Sequence, residues 1–316
     1  MRTFVAIALA LFVSVANAQC VNTTSRRGPL NRLIQRLGVH PEDPCPSQLN
    51  LSGKRALVIG TNQATLTDGK PTGVFASEMT VPYYAFQDAG MTVDVASPAG
   101  GTIPVDPLSL RRFLRTPSDD RFLSDCHFRQ KTNASLPVSA INVADYDVIY
   151  LAGGWGAAFD FGFSESLAAK ITEANALGRV IGGVCHGPLG LINATDIHGQ
   201  PLVMGRRVTG VTNKQIRELR ISSTPHHPET ELRRVGANYE SQSKFRDMFA
   251  NHWVVDGNLV TGQNQNAAPM VAREMMQLAN GVPAEKSYSQ CQSCQTCYGS
   301  CQPCQNPQPR RRLWRR

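Results

Sequence analysis

The sequence predicts an α/β fold, an open and mostly parallel sheet with helices on both faces. Three observations carry that expectation. Short apolar runs rich in Val and Ile recur through the middle of the chain, continuous rather than alternating, as in strands buried on both sides. Segments with helical apolar spacing alternate with them. Glycines mark the junctions where a strand gives way to a loop or helix.

The first strand is RALVIG at residues 55–60, followed by a polar loop, TNQATLTDGKPTG. VFASEMTVPYYAFQDAG then repeats apolar positions at helical spacing in its second half and stops at Gly90. Residues 91–97 form a second strand. From about 98 to 144 the alternation breaks into Pro, Gly, Asp and Arg, with a helix expected around DPLSLRRFLR. An insertion of this length reads as a small cap over a site. YDVIYLAGG resumes as a strand at 146–154, FSESLAAKITEANALG follows as a helix, VIGGVC as a strand and HGPLGLINA as the helix behind it. RRVTGVT, ETELRRVGANYE and WVVDGNLVTG continue the strand and helix series, and APMVAREMMQLANGV closes it as a helix.

Composition sets the surroundings of this domain, expected over residues 54–282. The 316 residues are 41% apolar and 18% charged, ordinary for a globular chain with a sizeable core. Residues 1–18 combine an early Arg, a short apolar run and an Ala-Asn-Ala end, the pattern of a cleavable secretory signal, so a secreted protein starting at Gln19 is expected. Residues 19–53 read as an N-terminal extension and 283–316 as a Cys-rich basic tail with few aliphatic residues to bury. The formal charge of +8 suggests a nucleic-acid partner, yet RRRLWRR holds five of the 32 basic residues and the signal holds Arg2; 26 basic residues against 24 acidic ones remain. No specific nucleic-acid site is expected. The Arg-rich end with Trp314 is a candidate contact for an anionic surface.

The nine cysteines fit secretion. With Cys185 set aside, Cys20, Cys45, Cys126, Cys291, Cys294, Cys297, Cys301 and Cys304 allow four disulfides of open connectivity and leave one free thiol. The Cys-x2-Cys spacings in the tail suit disulfides better than zinc, because the tail has no histidine. Asn22, Asn50, Asn133 and Asn193 lie in glycosylation sequons, and Asn193 is expected to be buried and unmodified.

The chemistry concentrates at residues 180–190, VIGGVCHGPLG. A strand turns abruptly toward a helix with a thiol at the corner, and the flanking glycines let the backbone bend. A helix start there would favour thiolate over thiol, and His186 adds a base. Glu78 follows the loop after the first strand, at the end of a parallel sheet where sites lie, inside an apolar run that suits no surface carboxylate. Burial would raise its pKa and keep it able to donate or accept a proton. The Gly153-Gly154-Trp155-Gly156 turn, with His186, offers backbone N–H groups to an oxyanion, at Gly154 and Trp155 in particular. His226-His227-Pro228-Glu229 looks like part of an amidotransferase triad but is read as a loop.

TGVFASEMTVPYYAF, LAGGWGAAFDF, IGGVCHGPLGL, VTGVTNKQ, ELRRVGANYE and LVTGQNQNAA, in this order, resemble the ThiJ/PfpI superfamily over about residues 53–281. The resemblance is to its branch of heat-shock chaperone and glutathione-independent glyoxalase proteins. It implies a flavodoxin-like three-layer α/β sandwich of the class I glutamine amidotransferase type, with Cys185 as nucleophile, His186 as its partner and Glu78 sharing a proton with the thiol. The implied reaction converts methylglyoxal and related 2-oxoaldehydes to 2-hydroxy acids such as D-lactate, formally a hydro-lyase step, without glutathione, cofactor or metal. It also implies a possible homodimer, whose interface the N- and C-terminal additions could cover or replace. Three features depart from the pattern. Trp155 stands where many members of this branch have histidine, Glu218 is a slightly late candidate for the acid that orients His186, and members tend to be intracellular. Two other readings stay open: a cysteine peptidase or amidohydrolase, and a non-catalytic extracellular binding or chaperone-like protein.

Overall fold

The computed structural model describes residues 49–221 and 223–281. The expected signal, most of the N-terminal extension and the tail lie outside the described residues, as do Asn22 and every cysteine except Cys126 and Cys185.

The strands are β1 (Arg55–Ile59), β2 (Thr92–Ser97), β3 (Leu136–Pro137), β4 (Val148–Leu151), β5 (Val180–Val184), β6 (Arg207–Val208), β7 (Asn238–Tyr239), β8 (Trp253–Asp256) and β9 (Leu259–Gly262). Seven of them form one sheet in the order β3-β2-β1-β4-β5-β9-β8, parallel throughout except for the β8–β9 hairpin. Helices are α1 (Ala76–Asp88), α2 (Pro117–Ser124), α3 (Cys126–Asn133), α4 (Ala157–Asp160), α5 (Glu165–Ala176), α6 (Asn213–Leu219), α7 (Pro228–Arg234) and α8 (Ala268–Ala279).

Continuous apolar strands arise because both faces are covered. Ala56 and Val58 of β1, Val148 and Tyr150 of β4, and Val180 and Val184 of β5 point into a core shared with Met79 and Phe86 of α1 and Val271 and Met275 of α8. The alternate residues Leu57, Ile59, Ile149, Leu151 and Ile181 point into a second core with Leu167 and Ile171 of α5. Two such cores make three layers, as expected of a flavodoxin-like arrangement. Chain direction across the sheet reverses between β1 and β4, so a crevice opens outside their carboxyl ends.

Four expectations are corrected. The helix expected around DPLSLRRFLR is absent: residues 106–115 form turns, and α2 and α3 follow at 117–133. Asp106 explains the turn, since its carboxylate accepts from the Leu108 N–H at 2.8 Å. Thr116 explains the late start, because its hydroxyl and the Asp119 carboxylate form a reciprocal capping box ahead of Pro117. HGPLGLINA is not an α-helix but a 3-10 stretch at Gly187–Leu191, as its Gly and Pro content favours. RRVTGVT does not enter the main sheet; only Arg207–Val208 pairs, with β7, in a separate two-stranded sheet. Asn193 is exposed, although its side-chain nitrogen is held by the Gly162 carbonyl at 2.6 Å.

Gly187 shows how tightly the corner is packed. A Cβ added there would lie 2.2 Å from the Leu151 carbonyl oxygen, backbone against backbone, with no flexible side chain to yield. Gly187→Ala is expected to cost about 2–3 kcal/mol and to lower Tm by roughly 4–10 °C in a thermal melt. A Tm unchanged from wild type would show that the corner can shift.

Candidate functional site

Three segments end at the crevice. β1 leads through its loop to Glu78 in the first turn of α1, β4 leads to the Gly153–Gly156 turn, and β5 leads to Cys185 and His186. The sequence order of strands is what brings them together, because β4 and β5 add on the side of β1 opposite to β2.

Cys185 stands at the corner with φ +59°, a left-handed conformation that a non-glycine residue rarely adopts. Its neighbours hold it there. The Cys185 N–H donates to the Gly262 carbonyl at 3.0 Å, and the Cys185 carbonyl accepts from the Val211 N–H at 3.0 Å. RRVTGVT therefore braces the corner rather than extending the sheet. The Gly154 and His186 N–H groups are directed at Sγ, and His186 Nδ1 lies 3.4 Å from it. The Glu78 carboxyl hydrogen-bonds the same sulfur.

Gly153 is what admits the carboxyl: a Cβ at this position would sit 2.4 Å from Glu78 Oε2 and 2.4 Å from the Val184 carbonyl oxygen. Gly154, at φ +112°, takes the turn that aims its N–H at the sulfur. Trp155 supplies an aromatic wall, its ring 4.8 Å from the imidazole of His186 and tilted by 56°.

Burial dominates the electrostatics. Glu78 is 1% exposed, Cys185 7% and His186 0%. Desolvation pushes the Glu78 carboxyl well above the ordinary carboxylate range, and the charge of Asp106 adds to it. Desolvation likewise pushes the Cys185 thiol up, reinforced by Glu78, and outweighs the two N–H groups that favour thiolate. The expected thiolate from a helix start is therefore corrected: the resting thiol keeps its proton, because no long helix begins there and, among the described residues, no cation lies beside it. His186 is held neutral, its pKa lowered to about 3 by burial and then by His227.

Glu218, expected to orient His186, does not reach it. Its carboxylate accepts from the Asp247 N–H at 2.9 Å and faces Lys214 Nζ at 3.6 Å, while His186 Nε2 has no hydrogen-bond partner among the described residues. His226-His227-Pro228-Glu229 is not a loop but the start of α7, with His227 at the cap and Pro228 in the first turn. Its carboxylate and outer histidine are occupied elsewhere, Glu229 by the Asn213 N–H at 2.9 Å and His226 by Glu231 at 3.2 Å. Sequence reasoning passed over Asp106 and Tyr150. Asp106 lay in the irregular insertion, where no periodicity marks a site. Tyr150 did leave a signal, a phenol in the central apolar run VIYL; its hydroxyl is buried without a partner among the described residues, and burial, then Glu78 and Cys185, push its pKa up. Among the described residues no group of three or more His, Cys, Asp or Glu is placed to hold a metal ion.

The chain is 30% identical over 219 residues to a glutathione-independent glyoxalase of Saccharomyces cerevisiae, covering 67% of this chain and 91% of the relative. It is 29% identical over 227 residues to glyoxalase 3 of Candida albicans, covering 68% and 93%. Among solved structures, glyoxalase III of Candida albicans superposes with a TM-score of 0.62 at 25% identity, over 71% of this chain and 96% of that one. The DJ-1/PfpI family profile matches residues 71–278, a span that takes in Glu78, the Gly153–Gly156 turn and the Cys185 corner. With a matching profile over most of its length and the three segments converging on one crevice, the chain belongs to the DJ-1/PfpI family.

Proposed function

We propose that this protein is a glutathione-independent glyoxalase, converting methylglyoxal and related 2-oxoaldehydes to 2-hydroxy acids through Cys185. The observation that carries this reading is the buried Glu78 carboxyl hydrogen-bonded to a thiol on a strained corner, in a chain whose relatives are named for that activity. A thiol and a carboxyl that share a dry site cannot both ionise, so a proton stays between them. That proton is the working part. As Sγ adds to the aldehyde carbon C1, the thiol proton leaves to Glu78 or His186 and the new oxyanion meets the Gly154 and His186 N–H groups. The hemithioacetal loses its C1 proton to one of the same two bases, C2 is protonated, and a thioester of the 2-hydroxy acid results. Water then releases the acid and returns the proton to sulfur, for a net addition of one water to the 2-oxoaldehyde.

Secretion is part of the proposal. It is supported by the signal-like residues 1–18, and the burial of Cys185 would keep the reactive thiol from pairing in an oxidising route.

Purified protein is expected to form D-lactate from methylglyoxal without glutathione. Cys185→Ala should abolish turnover and Glu78→Gln should lower it about a hundredfold or more. Wild-type protein that is inactive with its thiol intact would sink the reading.

Alkylation of Cys185 by iodoacetamide is expected to be slow at neutral pH and to rise with pH. Glu78→Gln removes the charge and the hydrogen bond that raise the thiol, so the midpoint of the alkylation profile should move to lower pH. A midpoint that moves upward would mean that Glu78 stabilises the thiolate.

The same substitution tests stability. A carboxyl whose folded pKa is raised contributes its full share below the ordinary carboxylate pKa, and that share is lost as pH rises toward the folded value. Glu78→Gln should therefore raise Tm at about pH 7.5 and lose that advantage toward about pH 4. An equal Tm difference at both pH values would show that Glu78 does not titrate differently on folding.

A further inference from the structure

A cavity of about 290 Å³ adjoins the catalytic site, with Trp155 in its wall. The same Trp155 ring packs on His186, and Asp106, also in the wall, is the residue whose charge Glu78 feels. The cavity thus lies next to the reactive pair, with the Trp155 ring between it and His186. It has far more room than a three-carbon aldehyde needs and falls near the lower end of ligand pockets, roughly 300–1,000 Å³.

Its walls have two characters. Leu66, Leu108, Trp155 and Ile221 give an apolar surface. Arg111 and Arg220 supply positive charge, from the cap insertion and from the end of α6. Neither guanidinium forms a salt bridge among the described residues, although Arg111 is near enough to Asp106 to steady its carboxylate. The other charges are already committed. Lys70 pairs with Asp68 at 2.7 Å, and Asp106 is held by Thr72 at 3.3 Å and the Leu108 N–H at 2.8 Å. Arg220 also sits at φ +55°, a C-cap position that glycine or asparagine fills with less strain. An arginine held there, facing the same cavity as Arg111, is well placed to meet an anion.

We propose that the cavity selects 2-oxoaldehydes whose acyl chain ends in a carboxylate. The stem lies along Trp155 and the leucines, and the carboxylate meets Arg111 and Arg220. This rests on the glyoxalase reading and narrows its substrate class. The reaction is unchanged: one water adds across the 2-oxoaldehyde, C1 is oxidised as C2 is reduced, and the terminal carboxylate takes no part.

The test compares kcat/KM for methylglyoxal and for 4,5-dioxopentanoate, in wild type and in the Arg111→Gln/Arg220→Gln double variant. Wild type is expected to prefer the carboxylated substrate by about tenfold or more at low salt, with the preference shrinking in about 0.5 M salt. The double variant should lose that preference, its kcat/KM for the carboxylated substrate falling about tenfold further than that for methylglyoxal. Equal use of the two substrates by wild type, or an equal loss of both in the variant, overturns the proposal. Calorimetric binding of 2-hydroxyglutarate and lactate separates the two readings. If neither aldehyde is turned over, the glyoxalase reading fails, and the anion site then stands only if hydroxyglutarate binds more tightly than lactate and the variant abolishes the difference.

Discussion

The left-handed backbone at Cys185 is the constraint on which the rest of the site depends. A residue in that conformation must be held by its surroundings, and two backbone hydrogen bonds do so, one from the sheet at Gly262 and one from the segment that ends at Val211. Space is the second half of the constraint. Gly187 passes against the Leu151 carbonyl and Gly153 against Val184 and Glu78, so neither position tolerates a side chain. The thiol is therefore positioned by packing of backbone on backbone, which deforms far less than a side-chain contact.

Charge is what the site excludes. Glu78, Cys185 and His186 are all buried, and each is driven toward its neutral form by the same desolvation. A neutral thiol is a poor nucleophile, yet it is also a stable one, slow to oxidise or to pair with other thiols. Under the proposed mechanism, proton acceptors within hydrogen-bond reach make the thiolate only when an electrophile arrives. The arrangement gives up stability, since a buried carboxyl with Oε2 unpartnered is costly at neutral pH.

Much of this was legible because parallel strands leave a simple signature. Residues 56–59, 148–152 and 180–184 are apolar without alternation, and each run leads into glycine or cysteine at the crevice, so both the layers and the positions of Glu78, Cys185 and His186 follow from the sequence. The failures have local causes. Asp106 and Thr116 redirected the insertion through side-chain hydrogen bonds, which apolar periodicity does not register. Gly187 and Pro188 shortened the expected helix to a 3-10 turn, and with it went the dipole that would have favoured thiolate. Glu218 failed because register along the chain does not say which way α6 faces; its carboxylate turned to the Asp247 backbone.

Trp155 connects the chemistry to the cavity. A histidine there would place a second titratable ring against His186, whereas the indole offers an aromatic face that neither gains nor loses a proton. With His186 already neutral, an aromatic neighbour costs it no favourable charge contact. The indole also presents apolar area to the cavity, which under the proposed reading would desolvate a substrate stem while charge is kept at Arg111 and Arg220. Separating the two regions keeps the reactive pair dry, and a dry pair is what holds a proton between Glu78 and Cys185.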